Sequence, residues 1–115
     1  MSLKVHKREV DRVEVLDLEG RITIGDSSVT LRDLVRDEVN QGKKKLLLNL
    51  AGCTYIDSAG LGELISAFTT VKNRGGELKL LNLTKRIHDL MQITKLYTVF
   101  DIYDNEATAV ASFGA

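Results

Sequence analysis

Residues 54–64, TYIDSAGLGEL, bring an acid, a hydroxyl group and two glycines together within six positions. Asp57 and Ser58 follow a strand-like apolar run, and Gly60 and Gly62 open a helix-like one. A serine in such a turn can act as a nucleophile, as a helix cap, as part of a phosphate-binding loop, or as a residue that another enzyme modifies. The rest of the chain distinguishes among these four alternatives.

Nucleophilic catalysis is the weakest of the four. A serine hydrolase needs a general base, and the chain holds only two histidines, His6 and His88. The nucleophile-elbow pattern Gly-x-Ser-x-Gly requires a glycine where this chain has Ile56. His88 is predicted on the outside of a short helix, where a surface residue is the simpler interpretation. We therefore expect no enzymatic activity.

No cofactor and no metal are expected either. One cysteine and two distant histidines provide no metal-ligand spacing. The chain contains neither Gly-x-Gly-x-x-Gly nor a Walker loop with its lysine. A helix N-terminus with glycines attracts anions, but Asp57 places a negative charge beside it. A free nucleotide is thus disfavoured, whereas a covalently attached phosphate is not.

Composition limits the partners and the compartment. Sixteen basic residues balance sixteen acidic ones, so no footprint for nucleic acid is present, and the basic run at residues 43–45 is interpreted as the solvated start of a strand. No apolar run approaches the roughly 18 residues of a membrane span. The single Cys53 cannot form an internal disulfide and is predicted to be buried filler. We expect a cytoplasmic protein that contacts neither nucleic acid nor a membrane.

Alternating periodicities predict a single α/β domain over residues 1–115. Strands are predicted at residues 3–7, 12–18, 45–50, 78–83 and 99–103. The first two should pair antiparallel because their connection is short, and Gly20 should end the second. Helices are predicted from residue 26 or 27 to about 40, from 58 to about 74, from 85 after a Thr84 cap, and from 104 or 105. Strands that alternate with helices imply a mixed, mostly parallel sheet of four to five strands, with about four helices mainly on one side.

The same patterns predict which residues are buried. The predicted core comprises Val15, Leu47, Ile56, Leu61, Leu64, Phe68, Leu80 and Ile87. On the second helix Ile65 and Val71 also fall on the inward face. On the C-terminal helix the inward residues are Ala107, Val110 and Phe113.

Ser58 is predicted exposed at the carboxyl edge of the sheet, as the first residue or the N-cap of the second helix. That edge is where open α/β sheets engage ligands and partners. A serine here can simply cap the helix. However, Gly60 and Gly62 cost about 1 kcal/mol each in a helix relative to alanine. Their presence suggests that something approaches the backbone closely, and both interpretations stay open at this point.

A longer stretch now adds a family resemblance. The run YIDSAGLGELISAFTTVKNRGGELKLLNLTKRIHDLMQITKLYTVFDIYDNEATAVASF resembles the STAS domain in its stand-alone form, the bacterial anti-sigma-factor antagonist. The likeness is close over residues 45–113 and looser over the first 44. The Asp-Ser-x-Gly-Leu-Gly turn, then Gly-Gly, then LKLLNL, then ITKL occur in the order and at the spacing of that family.

The resemblance implies a phosphorylation-switched interaction module. In that family the serine after the aspartate is phosphorylated by an anti-sigma factor that is itself a serine kinase, and a PP2C-type phosphatase reverses this. The unphosphorylated form captures the anti-sigma factor and so regulates transcription. By position, the resemblance implies that Ser58 is the phosphorylation site, and that Asp57, Ala59 and Gly60 form the partner-binding turn around it.

Two departures from the family pattern concern the partner-binding residues. Ala59 stands where relatives often have serine or threonine, so Ser58 is the only hydroxyl in the turn. Thr23 stands where they tend to have aspartate, and Asp26 comes later. We expect the partner surface to spread from Ser58 to residues 20–26, including Thr23 and Asp26. The alternative is a non-switched adaptor subunit of a stress-signalling or lipid-transport complex.

Overall fold

The computed structural model describes residues 3–114. Five strands form one sheet in the order β1 (Lys4–Val10), β2 (Val13–Ile22), β3 (Lys45–Ile56), β4 (Glu77–Leu81) and β5 (Ile102–Tyr103). The helices are α1 (Asp26–Asn40), α2 (Ser58–Asn73), α3 (Lys85–Thr94) and α4 (Glu106–Ala111), with a 3-10 turn at Leu96–Thr98. β1 is antiparallel to β2, and all other neighbouring strands are parallel. The predicted mixed α/β fold is confirmed.

A two-residue turn explains the antiparallel pair at the N-terminus. Asp11 and Arg12 connect β1 to β2, and both have positive φ, 49° and 69°. Two consecutive positive φ angles are the signature of the tight hairpin turn whose twist matches that of the strands. The short connection therefore sets the pairing that the sequence predicts.

The prediction that Gly20 ends β2 is wrong, because the strand continues to Ile22. Gly20 has φ 122°, and the register between β2 and β3 shifts between Gly20 and Arg21. A glycine inside a strand often marks such an irregularity instead of an end. β3 likewise runs to Ile56, beyond the predicted end at residue 50, because it pairs with this second half of β2.

The sheet separates two cores. α1, α2 and α3 cover one face, where they pack on β-strand residues such as Leu46 and Leu48. α4 covers the other face, where Ala109, Val110 and Phe113 contact a smaller cluster that includes Leu47. Consecutive residues of β3 point to opposite faces, so a continuous apolar strand is covered on both sides. The helices thus lie mainly on one side, as predicted.

Burial differs from the prediction at three side chains. Of the predicted core, all members are buried except Phe68, which is half-buried. Ile65 is 37% exposed, and Ala67 takes the inward position on α2. Ala107, in the first turn of α4, is exposed, and Ala109 is buried instead. Phe113 is buried as predicted but lies after the helix, which ends at Ala111. The observed last strand, Ile102–Tyr103, is shorter than the predicted 99–103, because the N–H groups of Val99 and Phe100 donate to the Leu96 carbonyl in the turn that follows the 3-10 segment.

Cys53 is fully buried, and burial raises the pKa of its thiol. Within residues 3–114 no group of three or more metal-ligating side chains is assembled. No helix in that range is long and apolar enough to cross a membrane.

Candidate functional site

Ser58 is the first residue of α2 and its side chain is exposed, as predicted. The N-cap is Asp57, whose extended backbone directs the carboxylate over the helix start. The Gly60 N–H donates to Asp57 Oδ1 at 2.8 Å. Capping is therefore done by the aspartate, which leaves the Ser58 hydroxyl group free of that structural role.

The second oxygen of Asp57 joins the helix start to the loop between β2 and α1. The Ile24 N–H donates to Asp57 Oδ2 at 3.0 Å, and the Asp57 N–H donates to the Ile22 carbonyl at 3.2 Å. Hydrogen bonds from Gly60 and then from Ile24 lower the pKa of Asp57, because each stabilises the ionised carboxylate. One side chain thus holds the start of α2 and the loop before α1 in a fixed relation.

The two glycines of the turn have different surroundings. A Cβ at Gly60 would lie 2.1 Å from the Ile22 carbonyl oxygen, so the close approach predicted from the sequence is made by the chain's own backbone. A Cβ at Gly62 would meet nothing within 4 Å. Gly62 is exposed one turn beyond Ser58. The fold itself gives no reason for a glycine at position 62.

The loop before α1 is organised by serine side chains. The predicted cap by Asp26 or Ser27 is wrong, because the N-cap is Gly25, with φ 102° and no side-chain cap. Instead, the Thr23 N–H donates to Ser27 Oγ at 2.8 Å, and that hydroxyl donates to the Thr23 carbonyl at 3.1 Å. Positive φ at Gly25 turns the chain before a side-chain cap can form. The loop is fixed by the buried Ser27 and leaves Asp26 exposed.

The loop also displays an apolar residue that the sequence analysis overlooked. Ile24 is 79% exposed, and Val29, in the first turns of α1, is 43% exposed. The only available signal was an isolated isoleucine between polar residues in ITIGDSS. Ile24 stands beside Asp57, which binds its N–H, so an exposed apolar side chain adjoins the Ser58 turn.

The predicted site residues divide into an exposed and a covered group. Ser58 and Asp26 are exposed, while Asp57, Ala59 and Thr23 are half-buried. Gly60 is buried against Ile22 and contributes to the turn's shape. All six lie in the connections that follow β2 and β3 or in the first turns of α1 and α2, at the carboxyl edge of the sheet, and the Asp57–Ile24 hydrogen bond joins the two segments.

The STAS domain profile matches residues 4–109. The chain belongs to the STAS domain family. Among its relatives, the anti-sigma-B factor antagonist of Bacillus subtilis is 33% identical over 102 residues, which cover 89% of this STAS chain and 92% of the relative.

Solved STAS structures show the same fold at lower sequence identity. An anti-sigma factor antagonist from Mycobacterium paratuberculosis has a TM-score of 0.86 at 18% identity, covering 99% of this chain and 96% of that one. The Bacillus protein SpoIIAA in its phosphorylated form has a TM-score of 0.72 at 19% identity, covering 95% and 98%. At this identity the likeness concerns the fold alone.

Proposed function

We propose that this STAS protein is an anti-sigma-factor antagonist whose capture of its partner is switched by phosphorylation of Ser58. The observation that carries the proposal is the position of Ser58, an exposed hydroxyl group at a helix start that a different residue, Asp57, already caps. A relative 33% identical bears the name of an anti-sigma-B factor antagonist. The proposed role is regulatory and needs no catalysis by this chain.

The partner surface comprises the Ser58 turn and the loop at residues 23–26. Ile24 offers an apolar anchor. Its side chain is 79% exposed, so burial against a partner would remove much apolar surface from water. The exposed Asp26 places a negative charge at the rim of this partner surface. Gly62 leaves bare backbone where the partner can approach, because nothing in this chain occupies the space of its missing side chain.

A phosphate on Ser58 should leave the fold intact. Phosphoserine carries about −1.5 to −2 charges at pH 7, and a helix N-terminus favours such an anion by roughly 0.3–1 kcal/mol. The neighbouring Asp57 carboxylate opposes it. Two unit charges 4 Å apart repel by about 1 kcal/mol in water, and the exposed turn lies near that limit. These opposing contributions are small beside a typical domain stability of about 5–15 kcal/mol.

The same phosphate should oppose partner binding. Docking would strip water from a dianion, which is costly unless a basic residue of the partner meets it. We infer that the partner is an anti-sigma factor with serine kinase activity, that it both binds and phosphorylates Ser58, and that a PP2C-type phosphatase restores the binding form. This cycle takes place in the cytoplasm, where the transcription machinery works.

The test compares partner capture by the wild type, Ser58→Ala and Ser58→Asp from native lysate, followed by affinity measurement with the captured anti-sigma factor. Ser58→Asp should bind at least about tenfold more weakly, which is about 1.4 kcal/mol, with an unchanged melting temperature. Ser58→Ala should bind constitutively and resist labelling by the kinase. Ser66→Asp is the matched control, because Ser66 is also an exposed serine of α2.

Two results would contradict the proposal. One is a phosphoprotein that binds the anti-sigma factor undiminished. The other is capture of the same partners by all variants without any phosphate at Ser58, which would favour the non-switched adaptor of a stress-signalling or lipid-transport complex.

A further inference from the structure

Two arginines stack on one tyrosine three residues before Ser58. The guanidinium carbon of Arg21 lies 4.8 Å from the centroid of the Tyr55 ring, and that of Arg86 lies 4.6 Å from it. Arg21 is the cross-strand neighbour of Tyr55 on β2, and Arg86 is in the first turn of α3, which follows β4. Both arginines are exposed. Stacking on the ring restricts two long side chains that would otherwise move freely.

Within residues 3–114 neither Arg21 nor Arg86 has a carboxylate partner. Arg8, in contrast, is held by Asp17 and Glu106, and Arg32 is paired with Glu63. A guanidinium group has five N–H donors in a planar fork that matches a carboxylate. The Tyr55 pair is thus ordered but has its hydrogen-bonding edges available.

The position of Arg86 is unfavourable for the helix that carries it. The first turn of α3 contains no acidic residue and begins with Lys85 and Arg86. Cations at a helix N-terminus oppose the macrodipole, with an effect of about 0.3–1 kcal/mol each. Lys85 is compensated by Asp89 one turn later at 3.0 Å, whereas Arg86 has no such partner in the described chain. This placement is explained if Arg86 serves recognition.

We propose that Arg21 and Arg86, which both lie over the Tyr55 ring, bind an acidic segment of the protein partner that presents two carboxylates. Tyr55 and Ser58 lie at the same carboxyl edge of the sheet, so the arginine pair extends the partner surface from the Ser58 turn to the start of α3. The assignment of Arg21 and Arg86 to the same partner surface as Ser58 rests on the proposed function. The affinity for paired carboxylates rests only on the stacked arginines.

The spacing suits two acids on one helix. The guanidinium carbons, 4.8 and 4.6 Å from the same centroid, lie within roughly 10 Å of each other. Glutamates at positions i and i+4 of a helix have Cβ atoms about 5–6 Å apart, and their side chains can diverge further. Each carboxylate can then meet one guanidinium edge without displacing the arginine from the ring.

The first experiment uses a defined probe. An acetylated alanine-based helical peptide with one Glu(i)–Glu(i+4) pair is titrated into ¹⁵N-labelled protein while the arginine Nε–H resonances are followed. The resonances of Arg21 and Arg86 should shift in a saturable manner, and those of the exposed Arg36 on α1 should not. The same peptide with both glutamates replaced by glutamine should have no effect. Equal shifts at Arg36, or with the glutamine peptide, would overturn the proposal.

Inorganic phosphate, titrated at the same ionic strength, separates a carboxylate site from a general anion site. Phosphate should shift the two resonances only weakly. If it acts as strongly as the acidic peptide, the assignment to an acidic protein segment is wrong.

The second experiment uses the captured anti-sigma factor. Arg21→Gln combined with Arg86→Gln should reduce its affinity about tenfold or more and flatten its salt dependence, while Arg36→Gln should leave both unchanged. Unchanged affinity in the double variant would remove the arginines from the partner surface. If no anti-sigma factor is captured at all, the proposed function fails, whereas the peptide titration still decides whether the arginines bind paired carboxylates.

Discussion

A methyl group added at Gly60 would lie 2.1 Å from the Ile22 carbonyl oxygen, whereas one added at Gly62 would meet nothing within 4 Å. We therefore expect opposite effects of the two alanine substitutions on stability. Gly62→Ala should raise the free energy of unfolding by about 1 kcal/mol, the difference in helix propensity. Gly60→Ala should lower it by about 1–3 kcal/mol or more, because the contact is with backbone that cannot rotate away. Urea unfolding measures both.

The binding behaviour of Gly62→Ala tests its proposed role. If position 62 is a glycine because a partner approaches the backbone, the stabilised variant should bind the anti-sigma factor more weakly than the wild type. Undiminished binding by a more stable Gly62→Ala protein would show that the glycine has no part in the interface.

Asp57 makes the turn sensitive to acid. Its pKa is lowered in the folded protein, so its ionised form stabilises the fold above the pKa of an unfolded aspartate, about 3.9. That stabilisation is lost as pH falls through the lower pKa of the folded state. Asp57→Asn should therefore be less stable than the wild type at pH 7, and the difference should shrink below about pH 4. Thermal unfolding between pH 2.5 and 7 measures it.

The same variant has a local signature in solution. Because Asp57 Oδ2 accepts the Ile24 N–H, Asp57→Asn should move the Ile24 amide resonance and speed its hydrogen exchange. An Ile24 amide that is unaffected by the substitution would mean that the carboxylate does not hold the loop.

At the scale of elements, β2 and α1 each contribute one carboxyl group, Glu14 and Glu38, to the same region of the structure. Glu38 is buried on α1, and its Oε2 accepts from Lys7 Nζ at 3.2 Å. Its Oε1 has no hydrogen-bond partner among the described residues. Burial, and then the neighbouring carboxyl group of Glu38, raise the pKa of Glu14, while Lys43 nearby lowers it and Glu9 raises it. A proton on Glu14 can satisfy the unpaired oxygen of Glu38.

Because the pKa of Glu14 is raised, we expect its contribution to the free energy of unfolding to fall as pH rises. The folded protein binds the Glu14 proton more tightly than the unfolded chain does, because the pKa of Glu14 in the unfolded chain is near the ordinary value of 4.5. Stability should therefore decrease from about pH 4.5 upward, through the raised pKa of the folded state. Glu14→Gln, whose amide always donates, should remove this dependence and be more stable than the wild type at pH 7. Denaturant unfolding between pH 4 and 8 compares the two proteins, and parallel curves would contradict the shared proton.

Element types were predictable from the sequence because apolar periodicity depends on local spacing. The second halves of β2 and β3 were not, since the strands continue past Gly20 through register shifts that only the pairing of two distant segments defines. The cap of α1 was missed for a related reason. Asp26 and Ser27 are good capping residues, but positive φ at Gly25 determines how the chain enters the helix.

The candidate site shows the same division. The Ser58 turn was predictable because its residues are contiguous. The exposure of Ile24 and the stacking of Arg21 and Arg86 on Tyr55 were not, because each depends on segments that are distant in sequence and meet at the edge of the sheet.

At the scale of the whole molecule, the two faces of the sheet have separate cores. Phe113, in the turn that follows α4, is buried in the smaller cluster, on the face opposite α2. Phe113→Ala should therefore lower the free energy of unfolding by about 3–5 kcal/mol. The folded fraction should still bind the anti-sigma factor with wild-type affinity, because the proposed partner surface lies on the connections after β2 and β3 and the helix starts that follow them. Calorimetric titration below the melting transition measures this affinity, and a reduced value would mean that the two sides of the sheet are coupled.

The reactivity of Cys53 can be used to measure how often the folded structure opens. It is the only cysteine of the chain, it is fully buried, and its thiol has a raised pKa, so the folded protein should resist alkylation. Labelling then requires a transient opening of the sheet beside the Ser58 turn. The rate of labelling therefore measures the frequency of such openings in the absence of denaturant. If phosphate acts only at the surface, phosphorylated and unphosphorylated protein should be alkylated at the same rate. Because Cys53 does not react, a single added cysteine, Val29→Cys, could be labelled selectively, and a fluorophore there, beside the loop at residues 23–26, would report partner binding in real time.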